Sequence, residues 1–440
     1  MKPILSLNAF DMAATADAPR ASQLGRRAAL FGSASMLFYQ QPLELVRGEG
    51  CWLYDAAGAA YLDAYNNVAS VGHCHPVVVE AVARQLGQLN THSRYLHPGV
   101  LDYAGRLLAT FPGALSNITF TCTGSESNDL ALRLAAAFTG GWGVVVTEAA
   151  YHGNTAGATE VSPSSYKQGG PPPHVRVVPA PAPHHGAAGA VSERFAAGVQ
   201  AAIDDLERSG VRFGALLMDS IFSSDGVYAD PPGFLAAAVA AAHRAGGVFI
   251  ADEVQPGFGR TGAGWWGFQR HDVLPDIVTL GKPMGNGYPV SAVVTRPEIL
   301  DAFCKQVGYF NTFGGSAAAA AAGNAVMQII EDEGLIANAF RVGSHLRHGL
   351  SMLAARHASI GEVRGVGLYV GVDVVTGRGE PAPAVATAIV NGLRQRHVLI
   401  GVAGRFGHVL KIRPPLCFSE AHADRLLETL DEVLAGVTQP

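Results

Sequence analysis

Charge is scarce in this sequence. Asp, Glu, Lys and Arg make up 15% of the chain against 48% hydrophobic residues, which suits a large, extensively buried body or an oligomer better than a small monomer with much surface. Basic excess is missing too. A formal net charge of -5 and a pI near 6.3 give no positive field for nucleic acid, and that partner class is set aside. Cysteine is sparse and unpatterned: Cys51, Cys74, Cys122, Cys304 and Cys417 are odd in number and form no CxxC pair. That usage fits a reduced, cytoplasmic protein and implies no zinc site. His73-Cys74-His75 carries metal-ligand types, but neighbours on an extended segment point to opposite faces, so a loop-packing role and no metal are expected. No apolar run is long enough for a membrane span, and no membrane partner is expected.

The first residues carry one targeting signal to weigh. Gly25-Arg26-Arg27-Ala28-Ala29-Leu30-Phe31 has a twin-arginine look, yet the apolar run behind it is short, holds Gly and Ser, and soon meets Gln40-Gln41-Pro42. Residues 1–35 are therefore read as a mobile arm. From Met36 to Asp63 apolar and polar positions alternate between glycines, which predicts a small antiparallel hairpin or meander. Pro76 can open a helix, a second helix is predicted from about Gly99 to Thr110, and Ile118 to Cys122 reads as a strand. That strand runs into Thr123-Gly124-Ser125 before an apolar helix, an arrangement that offers free N–H groups to a phosphate. Gly143 to Thr147 reads as a buried strand ending near Tyr151 and His152. Residues 162–190, dense in Pro, Gly, His and Ala, read as a surface excursion with little order. A helix from about Ser192 to Ser209, the strand FGALLMD and a helix from Pro231 to Ala245 follow. The alanine run from Ser316 reads as a buried helix, and three amphipathic helices around short strands fill the last third.

The densest stretch is Val248 to Pro289. An apolar run ends at Asp252-Glu253, and a second, Ile277 to Leu280, ends at Gly281-Lys282. Both read as strands buried on two faces. Ligands of open α/β sheets bind beyond the carboxyl ends of strands, so Asp252 and Lys282 should converge on one crevice. A buried amine that forms a Schiff base and a carboxylate that holds a pyridine nitrogen's proton are the requirements of pyridoxal phosphate (PLP).

VFIADEVQPGFGRTG followed by PDIVTLGKPMGNGYPVSAVV resembles the class III family of PLP-dependent aminotransferases, and the likeness runs from about Phe38 to Leu434. It implies an α/β fold of type I: a large, mostly parallel, seven-stranded-type sheet domain with helices on both faces, residues 77–325. A smaller α+β domain would come from both chain ends, 36–76 and 326–440. It further implies that Lys282 is the Schiff-base lysine and Asp252 the pyridine partner. Gly124 and Ser125 would form the phosphate turn, Tyr151 would stack on the ring with His152 beside it, Val254 would pack beneath, and Gln255 would reach the ring hydroxyl. Arg413 would bind a substrate carboxylate, with Tyr39 and Val68 also at the substrate. Thr312 would reach the neighbouring subunit's cofactor in a homodimer. The expected activity is ω-transaminase-type transfer from an amine or ω-amino acid to a keto acid by a ping-pong route.

Two departures bear on substrate. Ser224 stands where ornithine and 4-aminobutyrate aminotransferases carry a glutamate that guards the arginine. NNVASVGHCHP, LNTHSRYLH and LKIRPPLCF resemble the subgroup with ethanolamine-phosphate and phosphohydroxylysine phospho-lyases, which makes a phospho-lyase the alternative reading. Those relatives carry lysine at Arg413 and histidine at Ser70.

Overall fold

The computed structural model describes residues 8–10, 21–32, 36–182 and 188–436. Its centre is a seven-stranded sheet built from β4 (Asn117–Thr121), β5 (Gly143–Thr147), β6 (Val175–Val178), β7 (Phe213–Asp219), β8 (Val248–Asp252), β9 (Ile277–Leu280) and β10 (Ser291–Thr295). Before it, β1 (Leu45–Glu49), β2 (Trp52–Asp55) and β3 (Ala60–Asp63) form the expected antiparallel meander. The order β4-β10-β9-β8-β7-β5-β6 is parallel except for β10, which is antiparallel to both its neighbours.

Continuous apolar runs mark strands covered on both faces, and the packing bears this out. Val144 and Val146 of β5, Ala215 and Leu217 of β7, and Val248 and Ile250 of β8 enter one core. The intervening Val145, Leu216, Met218, Phe249 and Ala251 enter the core on the other side. Alternation of side chains thus feeds two cores from one run of residues.

A second sheet, in the order β11-β12-β15-β14, uses β11 (Ile360–Val366), β12 (Tyr369–Val374), β14 (Gly401–Ala403) and β15 (Val409–Ile412); β13 (Val398–Leu399) instead pairs in parallel with β3 and so ties the two ends of the chain together. The alanine run is the helix Ala317–Asp332, buried along most of its length. A Cβ on its Gly323 would lie 2.2 Å from the Tyr103 ring, so the missing side chain sets how closely the helices approach.

Three sequence expectations need correction. The excursion 162–190 contains β6, an edge strand whose pairing with β5 outweighs its proline-rich flanks. The helix expected from Pro231 begins only at Ala236, because Gly233 takes a left-handed turn with φ +84. Within the N-terminal arm, Ala21–Phe31 is helical and Ala9 bridges to Phe38, while residues 1–7, 11–20 and 33–35 lie outside the described residues. His73 and His75 are engaged by carboxylates, Asp63 at 2.6 Å and Glu333 at 3.1 Å. No helix among the described residues is long and apolar enough to cross a membrane.

Candidate active site

The carboxyl ends of β4, β5, β7, β8 and β9 share one rim, and each supplies a polar group there. Asp219 and Asp252 are direct neighbours across β7 and β8. The Asp252 carboxylate is held from three sides: His152 Nδ1 donates to Oδ2 at 2.7 Å, Asn128 Nδ2 at 2.9 Å, and the Val254 N–H donates to Oδ1 at 3.1 Å. Because a carboxylate only accepts, Nδ1 of His152 carries the proton and Nε2 is left as an acceptor. That Nε2 is buried and has no hydrogen-bond partner among the described residues. Asn128 is itself fixed, donating to the His152 carbonyl and accepting from Thr279.

After β4, Thr123 caps the helix Gly124–Thr139 by accepting from the Glu126 N–H. The early N–H groups of such a helix have no intrahelical acceptor. A Cβ on Gly124 would come within 3.0 Å of Val254, and one on Gly153 within 2.6 Å of Ser125 Oγ, so both glycines are required by close approach. Ser125 Oγ accepts from the Asn154 N–H, leaving its proton to donate.

Lys282 follows β9 and stands between two cavities. The larger, about 450 Å³, is lined by Gly124, Ser125, Tyr151, His152, Asp252 and Val254 among others. The smaller, about 150 Å³, is lined by Tyr39, Tyr65, Ser224, Lys411 and Arg413; Tyr151, Gln255 and Lys282 border both. Burial first, and then the Arg413 charge, bring the Lys282 amine down to about 8 against the pull of Asp252 and Asp219. In the cofactor-free protein, borohydride-trapped attachment of an aldehyde to Lys282 is therefore expected to speed up through pH about 8 and level off. A solvated lysine would keep rising towards about 10.4. Arg413→Gln should move the midpoint upward, and peptide mapping of the trapped adduct across pH checks both.

Arg413 is buried, not a surface ion-pairing residue. Its Nη1 donates to Gln255 Oε1 at 2.6 Å and Asn67 Oδ1 at 2.8 Å, and its guanidinium lies 4.4 Å over the Tyr65 ring. Lys411 sits two residues earlier on the same strand face, flanked across the ladder by Gly371 and Gly401. Neither cation makes an ion pair with a carboxylate among the described residues, and burial followed by Arg413's charge holds the Lys411 amine well below its usual range. Ser224 leaves Arg413 no glutamate at that position. Sequence reasoning missed Asn128, Asp219, Asn67, Tyr65 and Lys411; the two-residue spacing from Arg413 was the one signal for the last.

Other expected residues fall as follows. Tyr39 is buried beside the smaller cavity, its hydroxyl donating to the Ile400 carbonyl. Val68 lines the larger cavity, which Lys282 also borders. Thr312 lies outside both, in a cavity of about 580 Å³ that shares Cys122, Tyr288 and Pro289 with the larger one.

The class-III aminotransferase family profile matches residues 38–434. The chain belongs to this family. Among its curated relatives, an alanine–glyoxylate aminotransferase 2-like protein of Drosophila melanogaster is 41% identical, with 93% of this chain and 86% of the relative covered. Ethanolamine-phosphate phospho-lyase homolog 1 of Caenorhabditis elegans is 38% identical, with 93% and 92% covered. Among solved structures, a phospholyase from Arthrobacter in complex with phosphoethanolamine is 43% identical, with a TM-score of 0.91 over 94% of this chain and all of that one. This class-III aminotransferase is accordingly a PLP-dependent enzyme of fold type I. The glycine-lined turn, the anchored Asp252, the orphaned His152 Nε2 and the unpaired Lys282 amine all fit that cofactor.

Proposed function

We propose that this enzyme moves an amino group from a small amine or ω-amino acid bearing an anionic group to a keto acid, by a ping-pong route. One observation carries the reading: two buried basic side chains, Lys411 and Arg413, which form no ion pair among the described residues, share a cavity with Lys282. Burying a charge without a partner costs several kcal/mol, so the cavity is suited to an anion.

When bound, PLP supplies an electron sink that acidifies the proton on the amine-bearing carbon. The chain's residues do the rest. The early N–H groups of Gly124–Thr139 and Ser125 would hold the phosphate, and Tyr151 and Val254 would enclose the ring. Asp252, fixed by His152 and Asn128, would keep a proton on the pyridine nitrogen, and Gln255 would lie on the ring-hydroxyl side. Lys282 would anchor the cofactor covalently and, with its amine free, would take and return the proton at the amine-bearing carbon of the substrate. Its lowered pKa supports that exchange near neutrality.

Replacing Arg413 by Gln, or Lys411 by Met, is expected to raise KM for an anionic amine by about 10- to 100-fold, the weight of a lost charge-assisted contact. kcat/KM for an uncharged amine should change far less. Equal losses on both amines would argue against an anion subsite.

The second reading is phosphate elimination. It is favoured by the pair of cations, which suits a phosphate dianion, and by the likeness to the Arthrobacter phospholyase. Arg413 in place of lysine and Ser70 in place of histidine favour amino transfer. Free phosphate and acetaldehyde released from O-phosphoethanolamine without any keto acid would decide for elimination. Stoichiometric conversion of the cofactor's visible absorbance by an amine, restored by a keto acid, would decide for transfer.

A homodimer in the cytoplasm is part of this proposal, as is the division into a large domain at 77–325 and a small one from 36–76 and 326–440. The unpaired cysteines support the compartment. Exposed Leu96, Tyr95 and Phe313 support an apolar interface near Thr312. Thr312→Ala is expected to weaken cofactor retention about tenfold, one hydrogen bond to a charged group, without altering the dimer seen by light scattering.

A further inference from the structure

Two of the five cysteines that look scattered in the sequence meet in the fold. Cys51 and Cys417, 366 positions apart, bring their sulfurs to 3.5 Å. Cys51 opens the turn into β2 and is 2% exposed, whereas Cys417 is partly exposed. Cys74 and Cys304, the most exposed thiols, have no cysteine neighbour among the described residues. A Cβ on Gly72 would come within 3.0 Å of the Cys417 sulfur, so the glycine keeps room beside the pair.

Position makes the pair consequential. Cys417 closes the segment Arg413-Pro414-Pro415-Leu416-Cys417. That segment is moored by the Arg413 N–H to the Ala64 carbonyl, by the Leu416 N–H to the Ser70 carbonyl, and by Arg260 to the Pro414 carbonyl. A displacement at Cys417 is therefore carried along a short, stiff stretch to the guanidinium that faces the smaller cavity. Two buried thiols can also fill space as any small apolar group does, and that bland role predicts neither bond formation nor any effect on the cavity.

We propose that Cys51 and Cys417 form a peroxide-responsive dithiol whose closure to a disulfide weakens the anion subsite at Arg413. The Cys417 sulfur attacks one peroxide oxygen: an S–O bond forms, the O–O bond breaks, and the departing hydroxide takes up the thiol proton as water. The Cys51 sulfur then displaces the oxygen from Cys417. An S–S bond forms, and the Cys51 proton leaves with that oxygen as a second water. The two sulfurs lose two electrons in all, and the peroxide gains them. Cys417 is the partly exposed sulfur of the pair and Cys51 the buried one, which makes Cys417 the attacking sulfur. A disulfide spans about 2.05 Å, so closure draws the sulfurs together by roughly 1.5 Å.

The test uses the PLP-loaded enzyme carrying Cys74→Ser and Cys304→Ser, which leaves three of the five cysteines. After hydrogen peroxide, a colorimetric thiol count in denaturant should fall from three to one, and mass spectrometry of unreduced peptides should show the 51–417 linkage. Calorimetric titration with inorganic phosphate, whose cofactor subsite is already filled, should give a Kd at least threefold weaker than before oxidation and restored by dithiothreitol. Adding Cys417→Ser, or Cys51→Ala should the first variant not fold, should abolish the shift. Three surviving thiols overturn the proposal, and so does a linkage that leaves phosphate binding unchanged or a reduced enzyme that binds no phosphate. The inference uses the anion subsite of the proposed function, but no step of the test requires turnover, so a failed amino-transfer assay leaves it decidable.

Discussion

The enzyme with Lys282 replaced by alanine should fold, stay a class-III aminotransferase in shape, and lose its chemistry. Turnover is expected to fall by about 10⁴-fold, the upper end of what a positioned acid–base group contributes, with loss of the covalent hold on the cofactor added to it. Folding should survive because the amine makes no hydrogen bond or ion pair among the described residues, and its burial already disfavours the charged form. Removing it leaves a small gap next to two existing cavities, without stranding a partner. The melting temperature should therefore move by only a few degrees. Cofactor should still enter, since the phosphate turn, Asp252 and the ring contacts are untouched, but borohydride should fix none of it. A variant that kept both a borohydride-reducible yellow adduct and turnover would falsify the assignment of Lys282.

Much of this site was legible because parallel strands buried on both faces write themselves as uninterrupted apolar runs. Asp252 and Lys282 could be placed at strand ends from the boundaries of VFIA and IVTL, and Gly124-Ser125 from a strand meeting a helix. The missed residues depend on facts that no local pattern holds. Asn128 lies one turn into its helix and reaches Asp252 only because that helix crosses above β8. Asp219 becomes a neighbour of Asp252 only through the order of the strands. β6 was hidden by prolines, since its four residues owe their extended form to pairing with β5. The cysteine pair is the extreme case: each thiol is unremarkable locally, and they meet where the segment before Cys417 is hydrogen-bonded to Ala64 and Ser70 from the other end of the chain.

The second large effect is expected from Asp252→Asn, a change of one atom type at nearly constant volume. Asp252 accepts at Oδ2 from His152 and Asn128 and at Oδ1 from the Val254 N–H. An amide in its place must turn its NH₂ towards one of those sets of donors. If it faces His152 and Asn128, the proton on His152 can shift to Nε2, yet Asn128 is held by Thr279 and the His152 carbonyl and cannot turn. If it faces Val254, the fixed main-chain N–H loses its acceptor. Either way one buried donor is stranded, at about 1–3 kcal/mol, and the melting temperature should drop by several degrees. The catalytic loss should be larger than the structural one. Without a negative charge the pyridine nitrogen has no partner to keep its proton, and the sink that acidifies the substrate carbon weakens, so kcat should fall by roughly 10³-fold, within the range of acid–base effects. KM for the anionic amine should hardly move, because Lys411 and Arg413 sit in the other cavity. Burial raises Asp219, and the neighbouring Asp252 charge adds to that rise; the variant should therefore lower the Asp219 pKa and leave it charged beside the same rim. Loss of that splitting, with KM rising in step as kcat falls, would mean that Asp252 shapes the pocket instead of charging it.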